Sequence, residues 1–319
     1  MTNRIQRYLL TLVFLLFFLI SSANAEVKVV TSIKPIHSLV STIMDGVGKP
    51  DVIVDGYNSP HGFSLKPSHA KMLENADLVI WVGENLEAFL EKPLNTIAKK
   101  AKNIELMDLK GIKKLEFREK NIFEEHDDHK EHDDHKEHDD HKEEDGHEDH
   151  NHGEHDPHVW LDPMNAKVIV KEITRELIKL DSKNSSVYKS NSKKALADID
   201  KLIKSIRKDL NKDLRFVVFH DAYQYYENRF EIKVLGALTV NTDVMPGAEQ
   251  LSEIREVIEH EKVNCLFSEP QFNPSIIKSI AKDTSVKTGI LDPLGAELDK
   301  GKDLYFDLLK NMTSSFKGC

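Results

Sequence analysis

The chain alternates short apolar runs with longer amphipathic stretches. The runs are rich in Val, Ile and Leu, contain few interleaved polar residues, and are each followed by a helical pattern. This arrangement is typical of parallel strands that helices cover on both faces. Eight such runs lie at residues 27–33, 51–55, 77–82, 104–107, 215–219, 233–238, 265–267 and 286–291. With four runs in each half, the pattern predicts an α/β protein of two lobes.

The two halves are separated by residues 184–210, a stretch without Gly or Pro in which apolar residues recur at helical spacing. A helix of this length is about 40 Å long, enough to run the length of a two-lobed molecule. The alternative is an ordinary long helix within one lobe. The predicted domains are therefore a first lobe at 26–183, a linker helix at 184–210 and a second lobe at 211–319.

Residues 1–25 have the pattern of a secretory signal peptide. Arg4 and Arg7 precede an apolar run from Leu9 to Ile20, and Ala23-Asn24-Ala25 forms a small-x-small cleavage site. The run is too short to cross a membrane of about 30 Å as a helix, although an N-terminal anchor is the alternative interpretation. Because no Cys lies near the cleavage site, we expect no lipid anchor. The sequence thus predicts an exported, soluble mature chain.

Residues 124–156 form an acidic, histidine-rich tract. They contain 17 Asp and Glu against 3 Lys, so they carry −14 of a total net charge of −10 and the remainder carries +4. Residues 125–142 are three copies of Glu-His-Asp-Asp-His-Lys, and the tract has no large apolar residue. Such a segment cannot offset its ordering entropy by burial, so the sequence predicts a disordered loop over 121–156 within the first lobe. Outside it, no basic patch suggests nucleic-acid binding.

The histidines of this tract predict multiple, weak and unselective metal binding. Imidazole suits Zn, Cu, Ni and Co, and the surrounding carboxylates attract cations. A solvated acidic linker with incidental histidines is the alternative. The ten candidate secondary ligands are His126, His129, His132, His135, His138, His141, His147, His150, His152 and His155.

Three other histidines lie at strand ends or helix starts. His61 follows the run at 51–55, His158 lies just before a helix, and His220 ends the run at 215–219. Ligands of open α/β folds bind outside the carboxyl ends of strands, so these residues could converge in a cleft between the lobes. Each alone could be a structural histidine; together we interpret them as metal ligands. His69 and His260 lie in polar helical stretches and are expected at the surface.

The mature chain has two cysteines, Cys265 and Cys319. An even count in an exported protein favours a disulfide. Two free thiols that bind metal are the alternative.

Five phrases carry a resemblance to a known family. They are 60–67, 157–163, Phe219-His220-Asp221-Ala222-Tyr223, Ser268-Glu269-Pro270-Gln271-Phe272 and Leu291-Asp292-Pro293-Leu294-Gly295. Together they resemble the zinc-specific, ZnuA-type branch of the cluster A-I (cluster 9) solute-binding proteins of ABC transporters, over essentially all of residues 26–319.

The resemblance implies two (βα)4 lobes joined by a rigid backbone helix, with metal in the cleft between them. It implies that His61, His158 and His220 hold Zn²⁺ with high affinity in the periplasm. The protein would then deliver zinc to an inner-membrane permease driven by a cytoplasmic ATPase, as a monomer without a membrane anchor. A charged, histidine-rich loop before the second ligand and a disulfide at Cys265 and Cys319 are further features of this branch.

One position departs from the family pattern. Some relatives have a Glu ligand directly before the first histidine, where this chain has Pro60. The fourth ligand must then be water, Asp292 or another group. Asp292 ends the run at 286–291, and the matching Asp coordinates metal in manganese-type relatives, so Asp292 is the predicted fourth ligand or a residue that supports the ligands from behind.

Other functions are also compatible with three histidines and a zinc ion. A periplasmic zinc hydrolase uses the same ligands with an open position for water. Against it, the sequence has no His-Glu-x-x-His motif and no evident general base beside the ligands. A metal buffer would need only the tract, and an adhesin would leave no recognisable pattern. We therefore expect no enzymatic activity.

Overall fold

The computed structural model describes residues 26–118, 120–122, 155–240, 242 and 246–319. These residues form two four-stranded sheets in which all strand pairs are parallel. The predicted fold class, an α/β protein with two lobes of parallel strands, is confirmed. The strands are β1 (Val29–Ile33), β2 (Asp51–Val54), β3 (Leu78–Trp81), β4 (Lys102–Glu105), β5 (Arg215–His220), β6 (Lys233–Thr239), β7 (Cys265–Ser268) and β8 (Lys287–Ile290).

Helices connect consecutive strands and cover the sheets. Parallel strands need such crossovers, because the chain must return to the same end of the sheet before the next strand begins. The helices are α1 (Lys34–Ile43), α2 (Pro67–Glu74), α3 (Glu84–Thr96), α4 (Pro163–Leu180), α5 (Ser185–Asp209), α6 (Gln224–Phe230), α7 (Ala248–His260), α8 (Ser275–Thr284) and α9 (Leu304–Gly318), with 3₁₀ turns at Val159–Leu161 and Ser182–Asn184.

The first sheet has the order β2-β1-β3-β4, and the second has the order β6-β5-β7-β8. The strand that begins each half, β1 or β5, therefore lies inside its sheet and is buried along its length apart from the exposed Arg215. In both sheets the next strand of the chain lies on one side of this strand and the strand after it lies on the other side. This change of direction leaves a crevice at the carboxyl end of the strand. The predicted strand at 104–107 is shifted, because pairing with β3 sets β4 at Lys102–Glu105.

The inner strand β5 shows why its apolar run does not alternate with polar residues. Phe216 and Val218 belong to a large core that also contains β1 and β3, whereas Val217 and Phe219 belong to a smaller core on the other face. Successive side chains of a strand point to opposite faces, so both faces must be apolar when helices cover both. The large core contains residues of both sheets and joins the two lobes.

The long helix predicted at 184–210 is observed as α5, Ser185–Asp209. Its buried residues follow the predicted helical spacing, from Tyr188 through Ala195 and Ile199 to Ile206. It packs against α4 and α1 and against the C-terminal helix α9. The apolar stripe of α5 therefore packs against helices from both halves of the chain.

The segment after β4 crosses to the second lobe. Asn121 accepts a hydrogen bond from the backbone N–H of Ala237 at 2.8 Å through its backbone oxygen, and Ile122 pairs with Gly236 on the edge strand β6. Residues 123–154, like the predicted signal peptide at 1–25, lie outside the described residues. Within the part of the chain that the structure describes, no helix combines the length and the apolar character that a membrane span requires.

Candidate metal centre

His61 lies in the turn that follows β2. Pro60 before it is buried, and the backbone N–H of Phe63 donates to the carbonyl of Pro60. The turn closes at Gly62, whose φ of 66° lies in the left-handed region that a residue without a Cβ adopts at little cost. The Pro-His-Gly sequence thus directs the His61 side chain into the space between the lobes.

His158 lies immediately before the 3₁₀ turn Val159–Leu161 and is 3% exposed. Asp162, the residue after this turn, caps α4, since its Oδ1 accepts the backbone N–H of Met164 at 2.8 Å. The Asp162 carboxylate is also bound by both Nε and Nη2 of Arg229, on α6 of the second lobe, at 2.7 Å. The start of α4 is therefore fixed against the second lobe, close to His158.

His220 is the last residue of β5 and is 4% exposed. Its position at the carboxyl end of an inner strand agrees with the general location of ligand sites in this kind of fold.

The structure brings these three histidines together. Their nearest candidate ligand atoms all lie within 4.8 Å of one another. The ring centroids are 5.7 Å apart for His61 and His158, 5.4 Å for His61 and His220, and 4.9 Å for His158 and His220. The Nε2 atom of His61 is buried and has no hydrogen-bond partner among the described residues. Buried polar atoms are nearly always paired in proteins, so this nitrogen is available to a ligand.

Buried carboxylates hold the other two rings from behind. Asp156 Oδ1 lies 2.6 Å from Nδ1 of His158, and Glu269 Oε1 lies 3.2 Å from Nδ1 of His220. With Nδ1 bonded to a carboxylate, the Nε2 atom of each ring is available to a metal ion. A carboxylate that supports an imidazole in this way fixes the tautomer and makes the nitrogen a better metal ligand.

The protonation of the three rings follows from their surroundings. Burial, and then the neighbouring histidines, lower the pKa of His61 and His158 well below the usual value. Burial also lowers the pKa of His220, but the charges of Glu269, Asp221 and Asp156 outweigh it and raise the pKa overall. Neutral imidazole is the form that binds metal, so His61 and His158 are already in that form at neutral pH.

The space between the rings suits a metal ion. The cavity lined by the three histidines, Trp160 and Glu269 leaves about 10 Å³ for the centre of a water-sized group, which is enough for about one water molecule. Zn–N bonds of about 2.0–2.1 Å in a tetrahedral site require nitrogens about 3.4 Å apart. Closing a triangle with sides of at most 4.8 Å to that size moves each ring inward by less than about 1 Å. The donor set and its geometry therefore fit Zn²⁺.

Asp292 does not belong to this cluster of the described residues. Its Oδ1 accepts the backbone N–H groups of Leu294 and Gly295, at 3.1 and 2.9 Å, and its Oδ2 accepts that of Ala296. Oδ1 also accepts Nε2 of Gln271 at 2.8 Å. The prediction that Asp292 is a fourth ligand or supports the site stays a prediction, and these contacts favour the supporting role.

The loop that Asp292 caps connects the lobes beside the site. The indole N–H of Trp160 donates to the carbonyl of Pro293 at 2.8 Å, and the buried Lys34 donates to the carbonyls of Ala296 and Leu298 at 3.1 and 2.7 Å. Each bond joins the first lobe to the second. They fix the position of the His158 turn relative to the loop 292–298.

Of the ten histidines predicted as secondary ligands, the structure describes only His155. Its backbone pairs with Glu116 in an antiparallel bridge, at the base of the tract. Nine others lie outside the described residues: His126, His129, His132, His135, His138, His141, His147, His150 and His152.

Two expectations about other residues have clear outcomes. Cys265 and Cys319 form the predicted disulfide, with a Cα–Cα distance of 5.8 Å. The expectation that His69 is a surface residue is wrong: it is buried, its Nδ1 accepts the backbone N–H of Lys66, and its ring stacks on Phe63. The polar residues around His69 gave no indication that its side chain caps a short helix.

Asp156, Glu269 and Gln271 were not predicted as site residues, although Glu269 and Gln271 lie in one of the segments that resemble the family. Asp156 precedes His158 by two residues, and its role could have been suspected from the Asp-Pro-His spacing alone. Glu269 directly follows β7, the neighbour of β5 in the sheet, so the shared carboxyl edge brings it to His220. That neighbourhood becomes apparent only once the strand order is known.

Comparison with known proteins places the chain in a family. A family model described as "Zinc-uptake complex component A periplasmic" (ZnuA) matches residues 29–319. The chain is 46% identical over 311 residues to the high-affinity zinc uptake system protein ZnuA of Brucella abortus (strain 2308), covering 94% of this chain and 93% of the relative. It is 38% identical over 299 residues to the Yersinia pestis protein of the same name, covering 92% of each.

Solved structures share the fold. A crystal structure of ZnuA superposes with a TM-score of 0.73 at 22% identity, covering 92% of this chain and 98% of the other. An Mn-bound periplasmic metal-binding protein from candidatus liberibacter asiaticus superposes with a TM-score of 0.71 at 20% identity, with coverages of 92% and 98%. The family match extends over both lobes and includes all three histidines of the cluster. This chain therefore belongs to the ZnuA family of zinc-uptake complex components.

Proposed function

We propose that this chain captures Zn²⁺ with high affinity in the periplasm and delivers it to an ABC-type zinc importer. The observation that carries the proposal is the cluster of His61, His158 and His220. Their ligand atoms lie within 4.8 Å of one another. In this assignment all three are direct zinc ligands through Nε2. Asp156 and Glu269 fix the rings of His158 and His220.

The donor set favours zinc over harder cations. Three neutral imidazoles are a known zinc ligand set, whereas Mn²⁺ and Mg²⁺ prefer carboxylate and carbonyl oxygens. The carboxylates nearest the rings, Asp156 and Glu269, bond to Nδ1 atoms. Asp292, the further acidic candidate, bonds to three backbone N–H groups. We therefore assign nitrogen as the main ligand type, completed by one further ligand.

The same geometry favours transport over catalysis. A zinc hydrolase must admit an organic substrate beside the ion. It also needs a general base beside the ion, and Glu269, the carboxylate among the described residues that line the cavity, is already bonded to Nδ1 of His220. We propose that the bound ion is cargo and that the chain is not an enzyme. Hydrolysis of ester, peptide or phosphate test substrates by the zinc-loaded protein would contradict this assignment.

Export and delivery complete the proposal. The signal-like residues 1–25 would direct the chain to the periplasm, where it would act as a monomer without a membrane anchor. Its partners would be the inner-membrane permease of the importer and the cytoplasmic ATPase that drives it. The curated relatives are named as zinc uptake system proteins, which supports this place in a transport system. The histidine-rich tract would bind additional zinc more weakly.

The test is zinc titration of the metal-free mature chain and of His61→Ala, His158→Ala and His220→Ala. One tight equivalent is expected for the parent chain, and each substitution removes one of three imidazoles, so tight binding should be lost. His260→Ala is the matched control, because His260 is exposed at the end of α7. Competition against a chelator of known affinity measures the tight site, and calorimetry measures the stoichiometry.

Retention of the tight equivalent in all three variants would refute the assignment of the site. A growth test separates binding from delivery: a strain that depends on this chain for zinc uptake should fail to grow in zinc-poor medium with the His158→Ala variant, and should grow with His260→Ala.

A further inference from the structure

Gln271 lines the same cavity as the three histidines. It lies two residues beyond Glu269, in the loop that follows β7. Its side-chain oxygen Oε1 is buried and has no hydrogen-bond partner in the part of the chain that the structure describes. Buried carbonyl oxygens are nearly always paired in proteins, so this one calls for an explanation.

The orientation of the Gln271 amide is set by Asp292. The amide nitrogen Nε2 donates to Asp292 Oδ1 at 2.8 Å. A carboxylate only accepts hydrogen bonds, so it selects the NH₂ side of the amide. Asp292 is itself fixed by the backbone N–H groups of Leu294, Gly295 and Ala296. The Gln271 oxygen is consequently held on the side away from Asp292.

The neighbouring residue keeps this loop against the histidines. The ring of Phe272 lies 6.0 Å from the His220 ring and stacks on Phe219 at 4.8 Å, with centroid distances in both cases. The loop therefore has little freedom to turn Gln271 out of the cavity. An acceptor that is buried, oriented and unpaired beside three imidazoles is arranged for a donor that arrives with the metal ion.

We propose that Gln271 Oε1 accepts a hydrogen bond from a water molecule that is the fourth zinc ligand, and that Asp292 positions Gln271 for this role. The inference rests on the proposed zinc site. Water bound to zinc is more acidic than bulk water and is a strong donor, so it pairs well with a neutral carbonyl oxygen. Pro60 has no side-chain ligand atom, and the Asp292 carboxylate already accepts four hydrogen bonds, so we assign the fourth position to water.

The assignment gives Asp292 a function without direct ligation. Its carboxylate acts through Gln271, which is a positioning residue that contacts the bound water and does not contact the ion. Loss of a residue that supports a metal ligand typically weakens metal binding about 10–100-fold.

The test compares Gln271→Leu with the parent chain. Leucine keeps the approximate size but removes both the acceptor and the donor of the amide. Zinc affinity, measured by chelator competition, should fall about 10–100-fold, while the melting temperature of the metal-free chain changes by a few degrees at most. Gln250→Leu is the matched control, since Gln250 is exposed and caps α7 away from the cavity.

Cobalt substitution provides a readout that a merely structural role would not change. The visible absorption of Co²⁺ depends on the number and geometry of its ligands. Gln271→Leu should change the Co²⁺ spectrum and its dependence on pH, because the bound water loses its acceptor. Gln250→Leu should leave the spectrum unchanged.

The outcomes separate this inference from the proposed function. If the His61, His158 and His220 variants lose zinc but Gln271→Leu keeps the parent's affinity and Co²⁺ spectrum, only the role of Gln271 is wrong. If the parent chain itself binds no zinc tightly, the proposed function is wrong, whatever the result for Gln271→Leu. A crystal structure of the zinc form decides directly: Oε1 within about 3 Å of a zinc-bound water supports the inference, and direct ligation by Gln271 or Asp292 overturns it.

Discussion

Nδ1 of His158 lies 2.6 Å from Oδ1 of Asp156, and the backbone N–H of His158 donates to the same oxygen at 2.9 Å. One carboxylate therefore fixes both the backbone and the ring of a candidate ligand. The backbone oxygen of Asp156 accepts the hydroxyl of Tyr225, on α6 of the second lobe, at 2.7 Å. Through these bonds, the second lobe determines where a histidine of the first lobe lies.

Asp156→Asn should weaken zinc binding about 10–100-fold. An amide oxygen can still accept the ring N–H of His158 but never carries a negative charge, so Nε2 becomes a weaker ligand. Competition with a chelator of known affinity measures the change. Asp200→Asn is the control, because Asp200 lies on the exposed face of α5, where it pairs with Lys167. Equal zinc affinity of Asp156→Asn and the parent would show that the His158 ring needs no such support.

Asp292→Ala should lower both zinc affinity and fold stability. The carboxylate accepts three backbone N–H groups of the loop that joins the lobes, and these groups would lose their partner. We expect about 1–3 kcal/mol of destabilisation and a loss of affinity smaller than that of any of the three histidine variants. Denaturant unfolding and zinc competition on the same preparations measure both effects. An affinity loss as large as that of His61→Ala would instead indicate direct ligation.

Glu87 makes stability depend on pH. Its carboxyl is fully buried in α3, where Oε2 accepts the backbone N–H groups of Val82 and Gly83, and burial raises the pKa to about 7. The folded-state pKa exceeds the unfolded value of 4.5. The stabilising contribution is therefore fully present below pH 4.5 and is lost as pH rises through 7.

Glu87→Gln keeps the shape but cannot ionise, so its stability relative to the parent should rise by about 3 kcal/mol between pH 4.5 and pH 8. Urea unfolding at both pH values measures this difference. Glu91→Gln, on the exposed face of the same helix, should follow the parent at both pH values. A parent-to-variant difference independent of pH would mean that the pKa of Glu87 is the same in the folded and the unfolded chain.

The disulfide between Cys265 and Cys319 should stabilise the fold without affecting the metal centre. It joins residues 54 positions apart, for which the loss of chain entropy in the unfolded state amounts to about 4 kcal/mol. Cys265 begins β7, whereas His220 ends the neighbouring strand β5, so the disulfide and the metal centre lie toward opposite ends of the second sheet. Unfolding with and without a reductant should show the loss of stability, and zinc affinity should not change. A zinc affinity that falls on reduction would contradict this separation.

Replacing residues 124–154 by a short Gly-Ser linker should leave one tight zinc per chain and remove the weaker equivalents. The bridge between Glu116 and His155 remains in this variant, as do the three histidines of the cluster. Titration calorimetry counts the sites. A second variant keeps the length and changes the nine histidines of 126–152 to Asn, which distinguishes ligand loss from shortening. Loss of the tight equivalent in either variant would refute the prediction that the tract is accessory to the site.

The strands show how much of the secondary structure the local pattern of apolar residues predicts. The apolar runs located each of the eight strands, because strands buried on both faces carry consecutive apolar residues. The end of β4 was shifted, since its register depends on pairing with β3 and not on its own composition. His69 was misassigned for a similar reason: its burial depends on Phe63 and on the Lys66 backbone, and neither contact is visible in helical periodicity.

The sequence by itself determined the elements of this protein, the chemistry of its candidate ligands and the two cysteines of its disulfide. These follow from short-range periodicity and from residue type, which are properties of the chain alone. Only the tertiary structure decided that His61, His158 and His220, separated by 97 and 62 residues, meet in one cluster, and that Asp156, Glu269 and Gln271 surround them. Those distances depend on the shared core and on α5, which packs against helices of both halves of the chain, and no local pattern encodes them.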